Sequence, residues 1–513
     1  MKKVLLLLSL IFHTSLLFAQ QDPEFLLNHN NRWVDSVFNT LTLDEKIGQL
    51  LMPRGNTSGK PHDIEKLKRW VKDSRVGGLV MFAAPPTVQA RIVNELQALS
   101  KVPLLIGMDL EWGLAMRLDS SARFPYQMSL GAIRGEEKLL YDMGVEIAEQ
   151  CKRIGVHINY APVVDVNINP NNPVINFRSF GENQRLVAQK ALAYMKGMSS
   201  RKILTTAKHF PGHGDTGVDS HYDLPMILHD RKRLDSVEFY PYKVLIDNGL
   251  SGVMTSHLNV PLLDSSKNLA ATFSKNIVKD VLRNDLLFKG LTFTDAMDMQ
   301  GAIKYFSKGQ ANVKALLAGN DILETFEDVE EAIATTKAAI ANKEISMEEI
   351  DNRVKRVLKA KSWVGIDKYK PSVMQHLIED LNTPRADLLN RQLAEAAVTV
   401  VANKQNILPI RDLTQNIVSI SIDANQPSAF QKMSDNYTAI RNFQLAPNAS
   451  DSSINAVVEN AKAADLILIN LHLNNIRPAA KYGLTEANRK AFKALVNTGK
   501  AITTIFWKSL CFG

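Results

Sequence analysis

Between residues 40 and 325, short runs of apolar and β-branched residues alternate with longer stretches whose apolar positions recur every three or four residues. The short runs predict strands at 48–53, 76–82, 104–111, 156–166, 203–209, 252–257, 291–296 and 321–325. The longer stretches, among them 64–74, 88–99, 138–154 and 234–248, predict amphipathic helices, because that spacing gathers apolar side chains on one stripe. Strand-helix alternation implies a parallel sheet with crossover helices. Eight such units suit a closed α/β barrel of the (β/α)8 TIM type better than an open, doubly wound sheet. A GxGxxG or GxxxxGK[ST] loop after the first strand would favour the open sheet, and neither is present.

One further amphipathic helix is predicted over 346–362, with Ser346 as its cap and Glu349 completing a capping box. The chain then divides into a barrel over 21–365, a polar linker over 366–387 that contains Pro371 and Pro384, and a second unit over 388–513. The second unit reads as a partial α/β sandwich domain, with strands expected at 396–402, 417–422, 465–471 and 501–506. Residues 507–513 suit neither a cap nor a tail. Loss of one base in the coding sequence would restore a strand-then-turn sequence there, so a truncated or frame-shifted end is expected.

Composition narrows the class. With 45% hydrophobic and 22% charged residues the chain is globular, not disordered, collagen-like or coiled-coil. Two cysteines exclude a disulfide scaffold and a cysteine-ligated zinc or cluster site, and Cys151 and Cys511 are expected to stay unpaired. The net charge of +8 is spread without a basic run, which gives nucleic-acid binding no support. Residues 1–20 place Lys2 and Lys3 before an apolar run that ends near Ala19. That run, about 16 residues, is short for a span of about 20 and reads as a cleaved signal peptide. The mature protein is therefore expected to be exported, periplasmic or extracellular, without stable membrane insertion.

Chemistry concentrates in two stretches. Residues 208–225, KHFPGHGDTGVDSHYDLP, follow the fifth strand and so belong to the C-terminal rim of a barrel, where active sites lie. His209 and His213 are four apart, but Pro211, Gly212 and Gly214 break any helix, so a shaped turn is expected there and no metal. Asp219 stands two before His221, close enough in a loop to orient the imidazole and favour its protonated form. The same triplet also occurs in ordinary loops. Residues 292–302, TFTDAMDMQGA, put Asp295 at the end of the seventh strand, where it or Asp298 can equally be a helix cap. Asp109 and Asp165 end the third and fourth strands, Arg178 follows the fourth, and His257 ends the sixth. Each alone has a structural reading; together on one rim they fit an uncharged polyol.

KHFPGHGDT with DSH, TDAMDM downstream and RSFG upstream closely resembles glycoside hydrolase family 3, in particular its bacterial β-N-acetylglucosaminidase (β-N-acetylhexosaminidase) branch. The resemblance covers 40–365 as the barrel and 390–506 as the start of a sandwich domain. It implies a retaining, two-step glycosidase with Asp295 as nucleophile and Asp219 with His221 as acid/base dyad. It implies that Asp109, Arg178, Lys208 and His209 bind sugar hydroxyls, and His257 and Asp165 are counted with them from their rim positions. Its substrate would be an amino-sugar oligosaccharide, a terminal GlcNAc on peptidoglycan- or chitin-derived fragments, and it implies no cofactor. A histidine repels an anionic acceptor less than a carboxylate does, so water and phosphate both stand as acceptors. One segment departs from the family pattern Asp-Gln-Glu-Gly-Gly-Arg: residues 109–114 read Asp-Leu-Glu-Trp-Gly-Leu, without the arginine, although Arg117 is near. A β-glucosidase or β-xylosidase of the same family is the first alternative, and the Asp-Ser-His triplet counts against it. A non-catalytic sugar-binding protein is the second. A serine hydrolase has Ser199 and Lys202 in its favour, without the partner motifs that chemistry needs.

Overall fold

The apolar runs form parallel strands that pair in chain order: β1 Arg54–Gly55, β2 Gly78–Met81, β3 Leu105–Met108, β4 Ile158–Asn159, β5 Leu204–Phe210, β6 Gly252–Thr255 and β7 Leu291–Thr294. The computed structural model describes residues 20–507 apart from 29, 57–59, 326 and 404–405. The expected signal peptide lies outside the described residues but for Gln20, as do residues 508–513 with Cys511. Residues 321–324 close the sheet. Ile322 bridges Phe293 and Leu323 bridges Leu51. Met52 N donates to Leu323 O at 2.9 Å, and Leu323 N to Leu50 O at 2.9 Å. The result is the eight-membered α/β barrel, with an eighth member that is a pair of bridges instead of a ladder. Strands β2, β3, β5, β6 and β7 are buried along their whole length, as expected when helices cover the outside and side chains fill the inside.

Three expected elements differ, each for a local reason. The first strand starts later than 48, because Thr42 and Glu45 form a capping box that launches a helix over Leu43–Gly48. The fourth is two residues long. Pro162 has no N–H to donate, and pairing resumes only at the Val163–Lys208 bridge. The helix expected over 234–248 is two helices, Arg231–Ser236 and Phe239–Asp247, the first capped by Asp230. The capping box of Ser346 and Glu349 forms as the sequence indicates, opening the helix Met347–Trp363.

The segment expected as a linker is packed. Leu377 and Leu381 join the barrel's apolar core. Arg153 holds the segment through Asp380 (2.8 Å) and the carbonyl oxygens of Val373 and Gln375. The strand expected over 396–402 does not form. Thr383 caps a helix with Pro384 in its first turn, Pro384–Ala397, and Ala386, Leu389, Leu393 and Ala397 bury one face of it. Helical spacing thus claims the first two residues of that run, and Val398, Val400 and Val401 are left exposed. The second sheet follows, all parallel, in the order β11-β10-β8-β9: β8 Ile417–Ile422, β9 Arg441–Leu445, β10 Leu466–Leu473 and β11 Ala501–Trp507. Val418, Ile420, Ile467 and Ile469 form the centre of its own core. Among the described residues no helix is long and apolar enough to cross a membrane.

Candidate active site

The C-terminal ends of the barrel strands surround a cavity of about 270 Å³, just under the usual range for small-molecule sites. Asp109, Arg178, Lys208, His209, His221 and Asp295, drawn from five separate places in the sequence, all face it. Asp165 and His257 do not.

Asp109, just past β3, receives Lys208 Nζ at 2.7 Å on one oxygen and Arg117 on the other. Burial works to raise its carboxyl, but the two cations outweigh this and hold it far below the usual carboxylate range. Arg117 thus supplies a cation to the segment that lacks the family arginine. Glu111, to which the sequence reading gave no role, is fully buried and receives Arg178 as a fork, with Nη2 to Oε1 at 2.7 Å and Nε to Oε2 at 3.0 Å. Lys208 also reaches Glu111 at 3.0 Å. Despite burial, Arg178 and Lys208 bring the Glu111 carboxyl down to about 2. Its position two residues after Asp109 was the available signal.

Asp165 is an organiser. Its side chain is wholly buried, and it accepts from His213 N at 2.6 Å, from His209 N at 3.2 Å and from His209 Nδ1 at 2.7 Å. Arg178 Nη2 stands 3.3 Å from the other ring nitrogen of His209. A guanidinium can only donate. The chain of bonds is therefore consistent with a proton on Nδ1, given to Asp165, and a bare Nε2 accepting from Arg178. His213 is also occupied on both nitrogens, by Thr216 Oγ1 at 2.7 Å and Ser220 Oγ at 3.0 Å. Burial pushes it down to about 4. The two histidines spaced four apart thus hold the turn together and leave no ring nitrogen for a metal.

That turn presents the loop that carries Asp219 and His221. Asp219 Oδ1 accepts from His221 Nδ1 at 2.7 Å and from His221 N at 2.9 Å, which leaves Nε2 of the half-exposed imidazole to face the cavity mouth. The loop is tied down beside it. Ser220 bonds His213, Gly301 N lies 3.4 Å from Ser220 O, and Lys304 pairs with Asp223 at 2.8 Å.

Asp295 follows β7. Its backbone N–H donates to Thr255 O at 2.9 Å, and one carboxylate oxygen accepts from Ala296 N at 2.8 Å. Burial would raise its carboxyl; His209, His257, the Ala296 N–H and Lys208 outweigh burial and hold it below the ordinary value. Of these, the N–H and the lysine act whatever the imidazoles' protonation. His257 is fully buried behind the Asp295 loop, with Nε2 on Ala296 O at 3.0 Å and Nδ1 near Thr272 Oγ1 at 3.2 Å. It braces the residue next to Asp295. Sequence position put Asp165 and His257 at the rim, but strand pleat and turn aim them behind it.

The lining also carries Arg54, Trp112 and Glu324, to which the sequence reading assigned no role. Arg54, in β1, donates through Nε to Glu324 Oε1 at 3.1 Å and through Nη1 to Asp298 Oδ2 at 2.8 Å. Trp112 lines the mouth and packs edge-on to Tyr126, with ring centroids 4.7 Å apart.

The model of the glycosyl hydrolase family 3 N terminal domain matches residues 42–360. The chain is 30% identical to a protein named beta-hexosaminidase A from Pseudoalteromonas piscicida, over 89% of this chain and 88% of that one. It is 26% identical to a beta-N-acetylglucosaminidase/beta-glucosidase from Cellulomonas fimi, over 74% of this chain and 68% of that one. Among solved structures it resembles a family 3 beta-N-acetylglucosaminidase from Paenibacillus, with a TM-score of 0.72 and 27% identity over 91% of this chain and 90% of that one.

Proposed function

Because the chain belongs to glycosyl hydrolase family 3 and is a glycosidase, we propose that it is an exo-acting, retaining β-N-acetylhexosaminidase that releases terminal GlcNAc. The observation that carries this reading is the Asp219–His221 pair, held over a cavity whose floor contains an ionised Asp295.

In the first step Asp295 attacks the anomeric carbon and forms an ester bond to it. The bond to the aglycone oxygen breaks, and His221 Nε2 gives that oxygen its proton. Asp219 accepts the hydrogen on Nδ1 and fixes the ring with Nε2 as its free end. In the second step His221 Nε2 removes a proton from water. The resulting oxygen attacks the anomeric carbon, and Asp295 leaves as carboxylate. Asp109, Lys208, His209 and Arg178 present donors and acceptors to the ring hydroxyls. Charge-assisted hydrogen bonds of this kind orient a sugar strongly. The proposed natural targets are peptidoglycan- or chitin-derived fragments, met after export directed by residues 1–20. A β-glucosidase is the second reading, favoured by the double name of the Cellulomonas fimi relative.

The test is comparative hydrolysis of aryl β-N-acetylglucosaminide and aryl β-glucoside, followed by trapping with a fluorinated sugar and peptide mapping. Preference for the amino sugar, with the label on Asp295, is expected. Label on another side chain refutes the mechanism, and preference for the glucoside refutes the substrate.

A further inference from the structure

Glu324 is the acid of this cavity to which the mechanism gives no task. It stands where residues 321–324 close the barrel, on the cavity wall with Asp295 and Asp109. Its backbone is fixed on both sides of the nucleophile: Glu324 N donates to Thr294 Oγ1 at 2.9 Å, and Met297 N donates to Glu324 O at 3.1 Å. Its Oε1 is held by Arg54 Nε at 3.1 Å, and Arg54 is itself anchored on Asp298 at 2.8 Å. Among the described residues no hydrogen-bond partner meets Oε2, although the side chain is only 8% exposed. An oxygen of a nearly buried carboxyl that lines a cavity and has no protein partner is placed to recognise a ligand.

We propose that Glu324 is a specificity-determining residue, whose Oε2 reads one ring hydroxyl of the bound sugar while Arg54 holds Oε1. The groups facing it are Arg54 from β1, Asp109 past β3, Tyr160 past β4 and Asp295 past β7, while Asp298 meets Arg54 from its other side. Burial pushes its carboxyl up to about 8, Arg54 works against this, and Asp109 and Asp295 add to it. At neutral pH the acid form predominates and can donate as well as accept. A neutral third acid also avoids setting another anion beside the nucleophile. The inference rests on the glycosidase reading of the cavity, but not on which sugar fills it, since glucose and GlcNAc share the hydroxyls at C3, C4 and C6.

The experiment uses the full-length enzyme with 4-nitrophenyl β-N-acetylglucosaminide and β-glucoside, and with the 3-, 4- and 6-deoxy forms of whichever parent is turned over faster. For the wild type, removal of one particular hydroxyl should cost about 10- to 100-fold in kcat/KM, the worth of a hydrogen bond left unmade at a buried polar group. E324L should be slower on the parent by a similar factor and indifferent to that deletion. E324Q, which keeps size, donor and acceptor, should retain the discrimination. Binding of the free parent sugar, read as product inhibition, should weaken above pH 8 for the wild type and not for E324Q. An E324L enzyme that penalises every deoxy sugar as the wild type does overturns the inference, as does an identical pH dependence of sugar binding in E324Q. Preference for the glucoside parent would instead refute the amino-sugar reading and leave this assignment to be decided by the same deoxy series.

Discussion

Asp165→Asn removes a charge and keeps a shape, and its effect can be traced atom by atom. One amide oxygen can replace Oδ1 and still accept from His213 N and His209 N. The amide nitrogen then replaces Oδ2, which stands 2.7 Å from His209 Nδ1. An amide N–H there needs a bare Nδ1, so the imidazole proton moves to Nε2. That nitrogen now points its own N–H at Arg178, 3.3 Å away, and two donors face each other. One charge-assisted hydrogen bond is lost and another contact turns repulsive. A hydrogen bond to a charged group is worth about 1.5–3 kcal/mol, which corresponds to roughly 10- to 150-fold in kcat/KM if the contacts support the transition state. Stability should fall by about 2–4 kcal/mol, because the lost partner sat in a fully buried network. The folded Asp165 carboxyl lies below its ordinary value, so its stabilisation is complete above pH about 4 and lost as pH falls through the folded value. The variant should accordingly show a flatter acid limb. The assays are aryl glycoside kinetics and urea unfolding from pH 3 to 7. Wild-type kcat/KM in a variant that is measurably less stable would refute the tautomer argument, since the buried bonds would then matter to the fold and not to His209.

Other outcomes rest on the same geometry. His221→Ala should slow glycosides with poor leaving groups at least 100-fold more than activated aryl glycosides, and equal losses on both series would remove His221 from the acid role. Arg117→Leu leaves Asp109 with Lys208 alone. Sugar binding should weaken about five- to tenfold, seen as a higher KM in steady-state kinetics. Gly301→Ala sets a methyl 2.9 Å from His257 Cβ and 3.1 Å from Asp223 O, so the loop that carries His221 must lift. Turnover of poor leaving groups should drop about tenfold with a stability cost of about 1 kcal/mol, checked by kinetics and thermal unfolding together. Lys361 is fully buried on Gln49 Oε1 at 2.7 Å, and burial brings its ammonium down to about 7. The unfolded chain binds more protons than the folded one between pH 7 and about 10, so this group costs most below 7. Lys361→Met should raise stability by about 2 kcal/mol at neutral pH and by less at pH 10, as read from denaturant midpoints.

The barrel was legible because apolar runs and helical spacing alternate so regularly, and because parallel strands buried on both faces need no finer pattern. Edges were harder to read. A capping box at Thr42 and a proline at 162 each shifted a boundary by competing locally with strand pairing. The Asp219–His221 pair and Asp295 lie together because they occupy one contiguous motif and one strand end. Asp165 and His257 occupy equivalent strand ends and turn away, since a shift of one residue past the last ladder bond reverses the side chain's direction. Arg54 and Glu324 belong to no motif. A glutamate directly after Ile322 and Leu323 in the eighth run was the one available hint, and only the closure of the sheet gave it a meaning.

That closure has a consequence for how the molecule is made. Arg54 and Glu324 are 270 positions apart along the chain, yet they touch across the seam of the cylinder. During synthesis, the first staves must wait for the last before the seam can join, because nothing shorter brings these two together. A nascent chain halted before position 324 therefore carries Asp295 and His221 but an incomplete vessel, and is expected to be inert toward sugars until the final stave arrives.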